Sequence, residues 1–400
     1  MSSSIEERIL ALYGREEVKR DPGLQRMRVA LGELVPELSQ KIILTVAGTN
    51  GKGETTLWLT EEFKARRFCA WISPHVERLS ERFVDETGEI DEALLAGLVD
   101  ECHRECQNRG LGLSYYEFLF FVFCHWARRK NPELLFLEVG LGGRLDAVNV
   151  FDARMVLLPS VSRDHQEILG NRYDLILKEK LGLLRPGGLL VSYLGLQYLR
   201  ERGQEICSSV GARMIDLSEF VDMPKWEFSR RNQLLARAAS VLVEKGESAL
   251  GEEMSNFHSE ERFFENRGGV WKARGEWTFY GSHNPDGLRN LIQFLLSGNY
   301  TFPRPIFGAV LVAFSRRDPR DIRGMLKMLR GANLGRVLVT AFPHPKALAV
   351  DVIEDLAARE GLDFVRDPED FIKNISPGSR CLVTGSYYFL GHVRSLLRRG

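Results

Sequence analysis

An α/β protein of two tandem units is predicted, each with a parallel sheet covered by helices. Three observations predict it. Short apolar runs alternate with helical patterns from residue 41, a second alternation starts near residue 270, and a polar connector lies between them. Strands buried on both faces read as unbroken apolar runs, and a helix between two of them returns the chain to the same sheet edge.

In chain order the first unit reads as the strand "KIILTVA", a helix from about Lys52, the strand "RFCAWI", a long helical stretch, the strands "LLFLEV" and "RMVLLPSV", a helix through "DLILKEKLGLL", and the strand "GLLVSYL". The run "MPKWEFSRRNQLLARAASVLVEKGES" is largely helical in pattern, and "GEEMSNFHSEERFFENRGG" is the connector. That places a hinge near residue 262 and the units at 1–262 and 263–400. The second unit then offers "EWTFYG", "PIFGAVLVAF", "RVLVTAF", "LDFV" and "RCLVTGSYY" as strands. No internal repeat is seen.

The 400 residues carry 54 Lys plus Arg against 54 Asp plus Glu, so no basic excess points to nucleic acid or a membrane surface. The N-terminus "MSSSIEERILALYG" lacks the pattern of a signal peptide, and no apolar run reaches the roughly 18 residues of a membrane span. A cytoplasmic protein acting on small molecules is expected. Six cysteines, with only Cys102 and Cys106 close, read as buried thiols.

Ligands of open parallel sheets bind beyond the carboxyl ends of the strands. Gly48, Thr49, Asn50, Gly51, Lys52 and Gly53 follow the first strand and open a helix, so backbone N–H groups and the helix dipole can face phosphates while Lys52 reaches the outer ones. A hydroxyl normally follows that lysine to hold magnesium, and Gly53 stands there instead. Ser73, after "RFCAWI", is the natural donor. Glu138 ends "LLFLEV", and Asp164-His165 follow "RMVLLPSV", so oxygen and imidazole ligands converge on one edge suited to Mg²⁺.

The runs "AGTNGKG", "SPHVERLSERF", "LSYYEF", "LEVGLGGRLDAVN", "DHQEILG", "KEKLGLLRPG", "GSHNPDG" and "TGSYYFLG", in that order, resemble the folylpolyglutamate synthase and dihydrofolate synthase family of the Mur ligase superfamily. The resemblance implies a Mur-ligase-like fold: an N-terminal P-loop parallel-sheet ATPase domain, then a smaller C-terminal Rossmann-like α/β domain that serves glutamate ligation. It implies ATP and Mg²⁺, a pteroate or folate acceptor, L-glutamate, and a monomer. By position, Lys52 contacts the β and γ phosphates, Ser73 and Glu138 ligate one magnesium, and His165 a second metal. Lys180 corresponds to a lysine carbamylated in relatives to help hold that metal. Lys52, Lys180 and His165 form the catalytic set. Asn232, Arg262, His283 and Asn284 fall on the nucleotide side, and Arg82, Tyr116, Glu117 and Phe118 on the substrate side. The implied chemistry is phosphorylation of a carboxylate followed by attack of the glutamate amine.

The sequence departs from that pattern at four residues and in the segment between "VSYLGLQ" and Asn232, which is shorter than in most relatives. Glu54 stands where relatives usually have Ser, with Thr55 as a substitute hydroxyl. Tyr280 replaces an aspartate three residues before His283, Ser229 a glutamine three before Asn232, and Ser80 an asparagine before Glu81 and Arg82. Glu54 and Tyr280 motivate a second possibility, a binding or regulatory protein that keeps the fold without turnover; Ser80 and the short middle segment motivate a ligase with a different acceptor. A phosphate-loop kinase or GTPase leaves the second unit without a role.

Overall fold

The computed structural model describes residues 5–14, 23–164, 169–224, 227–259, 268–273, 275–297 and 306–399. The hinge expected at residue 262 lies outside them. The chain forms two units, Met1–Met223 with Ser229–Glu260, and Pro224–Phe228 with Glu261–Gly400.

In the first unit, helices α1 (Ile5–Tyr13), α2 (Gly23–Leu31) and α3 (Leu34–Leu38) precede the sheet. Then come β1 (Ile42–Val46), α4 (Lys52–Glu62), β2 (Phe68–Trp71), β3 (Phe83–Asp85), β4 (Gly88–Glu89), α5 (Glu92–Arg109), α6 (Tyr115–Lys130) and β5 (Leu134–Glu138). The unit continues through β6 (Met155–Leu158), α7 (Tyr173–Leu181), β7 (Leu189–Ser192), α8 (Gln197–Val210) and β8 (Arg213–Asp216), with α9 (Phe228–Glu244) and α10 (Leu250–Ser255) after them. The eight strands lie in the order β4-β3-β2-β5-β1-β6-β7-β8. Only β3 runs against the others, so the β2–β3 and β3–β4 pairings are antiparallel and the rest parallel.

Two details differ from the sequence expectation. The stretch between β2 and β5 contains the β3–β4 hairpin as well as helices, and β8 extends the far edge. These strands are only two to four residues long, too short for periodicity to distinguish from loop.

Local chemistry sets the helix ends. Asp91 caps α5 by accepting from Leu94 N, and Gly110 ends it with φ +62°. Ser114 and Glu117 form a capping box at the start of α6. From Glu117 to Ala127, α6 is buried all round, as its almost uninterrupted apolar sequence requires. It packs its rings with Trp71 and Phe83, Trp71 lying 5.5 Å from Phe120 and 5.6 Å from Phe123. All six cysteines are free and buried.

The second unit has strands β9 (Gly268–Lys272), β10 (Glu276–Tyr280), β11 (Ala309–Ala313), β12 (Arg336–Thr340), β13 (Asp363–Val365) and β14 (Arg380–Gly385) in the order β13-β12-β11-β14-β10-β9. Only β9 is antiparallel. Helices α11 (Pro285–Leu296), α12 (Pro319–Ala332), α13 (Val350–Arg359), α14 (Pro368–Asn374) and α15 (Tyr387–Arg399) flank it. Leu288, Val310, Leu326 and Leu382 belong to its own core.

Candidate active site

Register brings the carboxyl ends of the central strands of the first unit together. Val46 pairs with Glu138 on one side and Leu157 on the other, and Trp71 pairs with Leu137. The segments after β1, β2, β5 and β6 therefore leave the sheet at one edge.

The loop after β1 is stitched to the segment after β6. Thr49 N donates to Ser160 O, Asn50 N to Ser160 Oγ, and Thr49 Oγ1 both donates to Ser162 O and accepts from Ser162 N. Gly51 takes φ +89°, a left-handed turn immediately before α4. A Cβ there would lie 2.5 Å from Asn232 Oδ1. Lys52 Nζ curls back to donate to Gly48 O at 3.1 Å and Thr49 O at 3.4 Å. Lys180 Nζ donates to the same Gly48 carbonyl at 2.8 Å. Burial, then repulsion from Lys52, lowers the Lys180 pKa to about 7, with Asp164 opposing.

Glu138 is buried at the end of β5 and accepts from Ser73 N at 2.7 Å. The Ser73-Pro74 bond is cis. Ser73 Oγ is buried without a hydrogen-bond partner among the described residues, and so is Thr55 Oγ1 in the first turns of α4. A buried hydroxyl is normally satisfied; one that is not, beside a carboxylate at a strand edge, fits an oxygen-seeking cation. Among the described residues no three His, Cys, Asp or Glu side chains form a metal-binding group. His165 and Arg262 lie outside the described residues.

Glu54 turns to α9. Ser229 Oγ donates to one carboxylate oxygen, and Asn232 Nδ2 to the other at 2.8 Å. The two departures at 54 and 229 thus meet each other, and Asn232 is held against Gly51.

The substrate-side expectations divide. Tyr116 Oη donates to Asp146 Oδ1 at 3.1 Å and accepts from Gly140 N at 3.1 Å and Trp71 Nε1 at 3.3 Å. Asp146 also accepts from Gly140, Leu141 and Val148 N–H groups; burial raises its pKa to about 6 against those hydrogen bonds. Arg82 is buried with its guanidinium over Trp71. Glu117, by contrast, is committed to Ser114 N and to a two-point ion pair with Arg26. Phe118 is fully buried and stacks on Tyr13 at 3.9 Å. These two support the site from within the core. Ser80 Oγ donates to Glu89.

In the second unit, Asn284 caps α11 through Gly287 N, and His283 Nδ1 lies 3.3 Å from Gly281 O. Both follow β10. Tyr280 ends that strand, 8% exposed, against Phe228 and Phe294.

Sequence reasoning missed Ser160, Ser162, Asp146 and Glu81. Glu81 accepts from three successive N–H groups, Val76, Glu77 and Arg78, and so shapes the segment after Ser73. A signal for Asp146 existed, since it sits within "GLGGRLDAVN".

A glycine-rich loop leading into a helix on a largely parallel sheet, with Ser73 and Glu138 at the same edge, and a second, smaller α/β unit make a two-unit fold that solved structures share. No family model matches the chain. It is 23% identical over 426 residues to the dihydrofolate synthase/folylpolyglutamate synthase of Bacillus subtilis, covering 97% of each chain. It is 25% identical over 402 residues to that of Escherichia coli, covering 94% of this chain and 92% of the other. Among solved structures, the folylpolyglutamate synthase of Mycobacterium tuberculosis complexed with ADP aligns with a TM-score of 0.79 at 21% identity, covering 98% of each chain. The bifunctional enzyme of Yersinia pestis complexed with AMPPNP and Mn aligns at 0.76 and 22% identity, covering 99% of this chain and 98% of the other. Over nearly its whole length the chain is thus similar to dihydrofolate synthases and folylpolyglutamate synthases.

Proposed function

We propose that the protein is an ATP-dependent ligase that joins L-glutamate to the carboxylate of dihydropteroate, of a folyl-(poly)glutamate, or of both. The observation that carries this is the single edge where the phosphate loop, Ser73, Glu138 and two lysines on one carbonyl meet. In the first step a carboxylate oxygen of the acceptor takes the γ-phosphoryl group of ATP and ADP leaves. In the second the deprotonated glutamate amine attacks the acyl carbon, the C–N bond forms, and phosphate leaves with the bonding pair.

The chain's own part is charge and placement. Lys52 would exchange the Gly48 and Thr49 carbonyls for phosphate oxygens, and the N–H groups at the start of α4 would face the same anion. Ser73 and Glu138 would hold Mg²⁺, which neutralises phosphate charge when bound. His165 and a carbamylated Lys180 are proposed for a second metal. Asn232, Arg262, His283 and Asn284 are assigned to the nucleotide, Arg82 and Tyr116 to the acceptor. Residues 1–262 form the ATP-binding domain and 263–400 the glutamate ligase domain in this reading. A cytoplasmic monomer is part of this reading; no described helix is long and apolar enough to cross a membrane. The non-catalytic alternative loses one motive, because the Glu54 carboxylate is taken up by Ser229 and Asn232.

Calorimetric titration of Mg-ATP tests the reading, with Lys52→Ala as control, followed by assay of ADP release with dihydropteroate and glutamate. Binding that Lys52→Ala abolishes, with glutamate-dependent ADP release by the unmutated protein, is the expected result. Mg-ATP binding without any acceptor turnover would turn the assignment to the non-catalytic alternative.

A further inference from the structure

Arg82 is 4% exposed, its guanidinium lies over Trp71, and among the described residues only its Nε donates a hydrogen bond. Nε donates to His75 Nδ1 at 2.9 Å. A guanidinium has no acceptor, so His75 Nδ1 must present a lone pair and its proton must sit on Nε2. That Nε2 lies 3.2 Å from Glu6 Oε2, on α1, and donates to it. The other Glu6 oxygen accepts from Tyr115 Oη at 2.9 Å, at the first residue of α6. Burial opposes the Glu6 charge, but the bonds from His75 and Tyr115 outweigh it and hold the pKa at about 2.

The chain Glu6, His75, Arg82 is thus directional. Glu6 fixes the imidazole tautomer, the imidazole fixes Arg82 Nε, and the two Nη nitrogens have no hydrogen-bond partner among the described residues. A buried guanidinium in this state offers a planar fork that matches a carboxylate. Helix α1 is itself anchored: Ile9 is fully buried, and Tyr13 stacks on Phe118.

We propose that Glu6, acting through His75, is a positioning residue that sets Arg82 to receive a carboxylate of the acceptor substrate, so that the N-terminal helix belongs to the acceptor site. This rests on the ligase reading above.

The experiment is calorimetric titration of dihydropteroate, and separately of a folate monoglutamate, into the full-length protein and its variants Glu6→Ala, Glu6→Gln, Arg82→Ala and Glu6→Ala/Arg82→Ala. Mg-ATP titration runs alongside. Glu6→Ala should weaken acceptor binding about tenfold, as losing one oriented charge-assisted contact does, and leave Mg-ATP affinity within about twofold. Glu6→Gln keeps an oxygen for His75 Nε2–H and should recover part of the loss. In the Arg82→Ala background, removing Glu6 should add nothing. Unchanged acceptor affinity in Glu6→Ala, an equal loss of Mg-ATP affinity, or an effect that adds in full to Arg82→Ala overturns the inference. Should Glu6→Ala not fold, Glu6→Gln alone and combined with Arg82→Ala closes the same cycle. If the unmutated protein binds neither acceptor, the acceptor assignment itself falls, and this inference with it.

Discussion

Gly51 has to turn the chain at φ +89° and leave room for the Asn232 amide. Alanine there meets both obstacles, left-handed strain of roughly 1–2 kcal/mol and a Cβ 2.5 Å from Asn232 Oδ1. Gly51→Ala should therefore weaken Mg-ATP binding more than tenfold, and a titration retaining the unmutated affinity would remove the loop from the nucleotide site. Lys180 supplies a pH dependence. Its pKa is lowered to about 7 by burial and by Lys52, against about 10.4 in an unfolded chain. Between those values the unfolded state binds more protons, so stability rises with pH through that window. From pH 7 to 9 the gain is about 2 kcal/mol, and it should vanish in Lys180→Met. Denaturant midpoints with the same pH slope in both proteins would refute it. The glycine's role was legible from the strand-loop-helix pattern; the shared Gly48 carbonyl was not, because Lys180 lies 132 residues away in sequence.

The contact of α4 with α9 shows how a departure from a family pattern becomes intelligible only in three dimensions. Glu54 and Ser229 each stood out in the sequence, but 175 residues separate them, and no periodicity links them. In the fold they are partners, and Asn232 shares the carboxylate. A double-mutant cycle of Glu54→Ala and Ser229→Ala should give a coupling of about 0.5–3 kcal/mol in urea unfolding; simple additivity would mean that the pair is not formed. Helix α6 gives the opposite case. Its apolar run and the Ser114 to Glu117 spacing were readable, but a buried glutamate invites a ligand-binding role. The structure gives that carboxylate to Arg26 of α2. Removing one partner of a buried pair leaves the other charge stranded, so Arg26→Ala should destabilise the protein by about 2–4 kcal/mol. A loss below about 0.5 kcal/mol in the same assay would instead leave Glu117 available to substrate.

At the scale of the molecule, the central strands of both sheets and the edge on which Ser73 and Glu138 meet the loop could be read from apolar runs and the polar segments at their carboxyl ends. The β3–β4 hairpin and β8 could not, since such short strands carry too little pattern, nor could the antiparallel β9, whose run "GGVWK" opens on two glycines. Each unit closes its own core: Leu44 and Phe121 are buried in the first, and Leu326 and Val310 in the second. Domains with separate cores unfold as separate cooperative units. Calorimetry should therefore resolve two transitions. Mg-ATP at about 100 times its Kd stabilises the state that binds it by about 2.7 kcal/mol, and should raise chiefly the transition of the first unit. Leu326→Ala removes a fully buried side chain from the second, at about 2–5 kcal/mol, and should lower the other transition by roughly 5–15 °C. One transition that moves as a whole under either change would mean that the two cores are energetically a single unit, and that the second α/β unit owes its stability to the first.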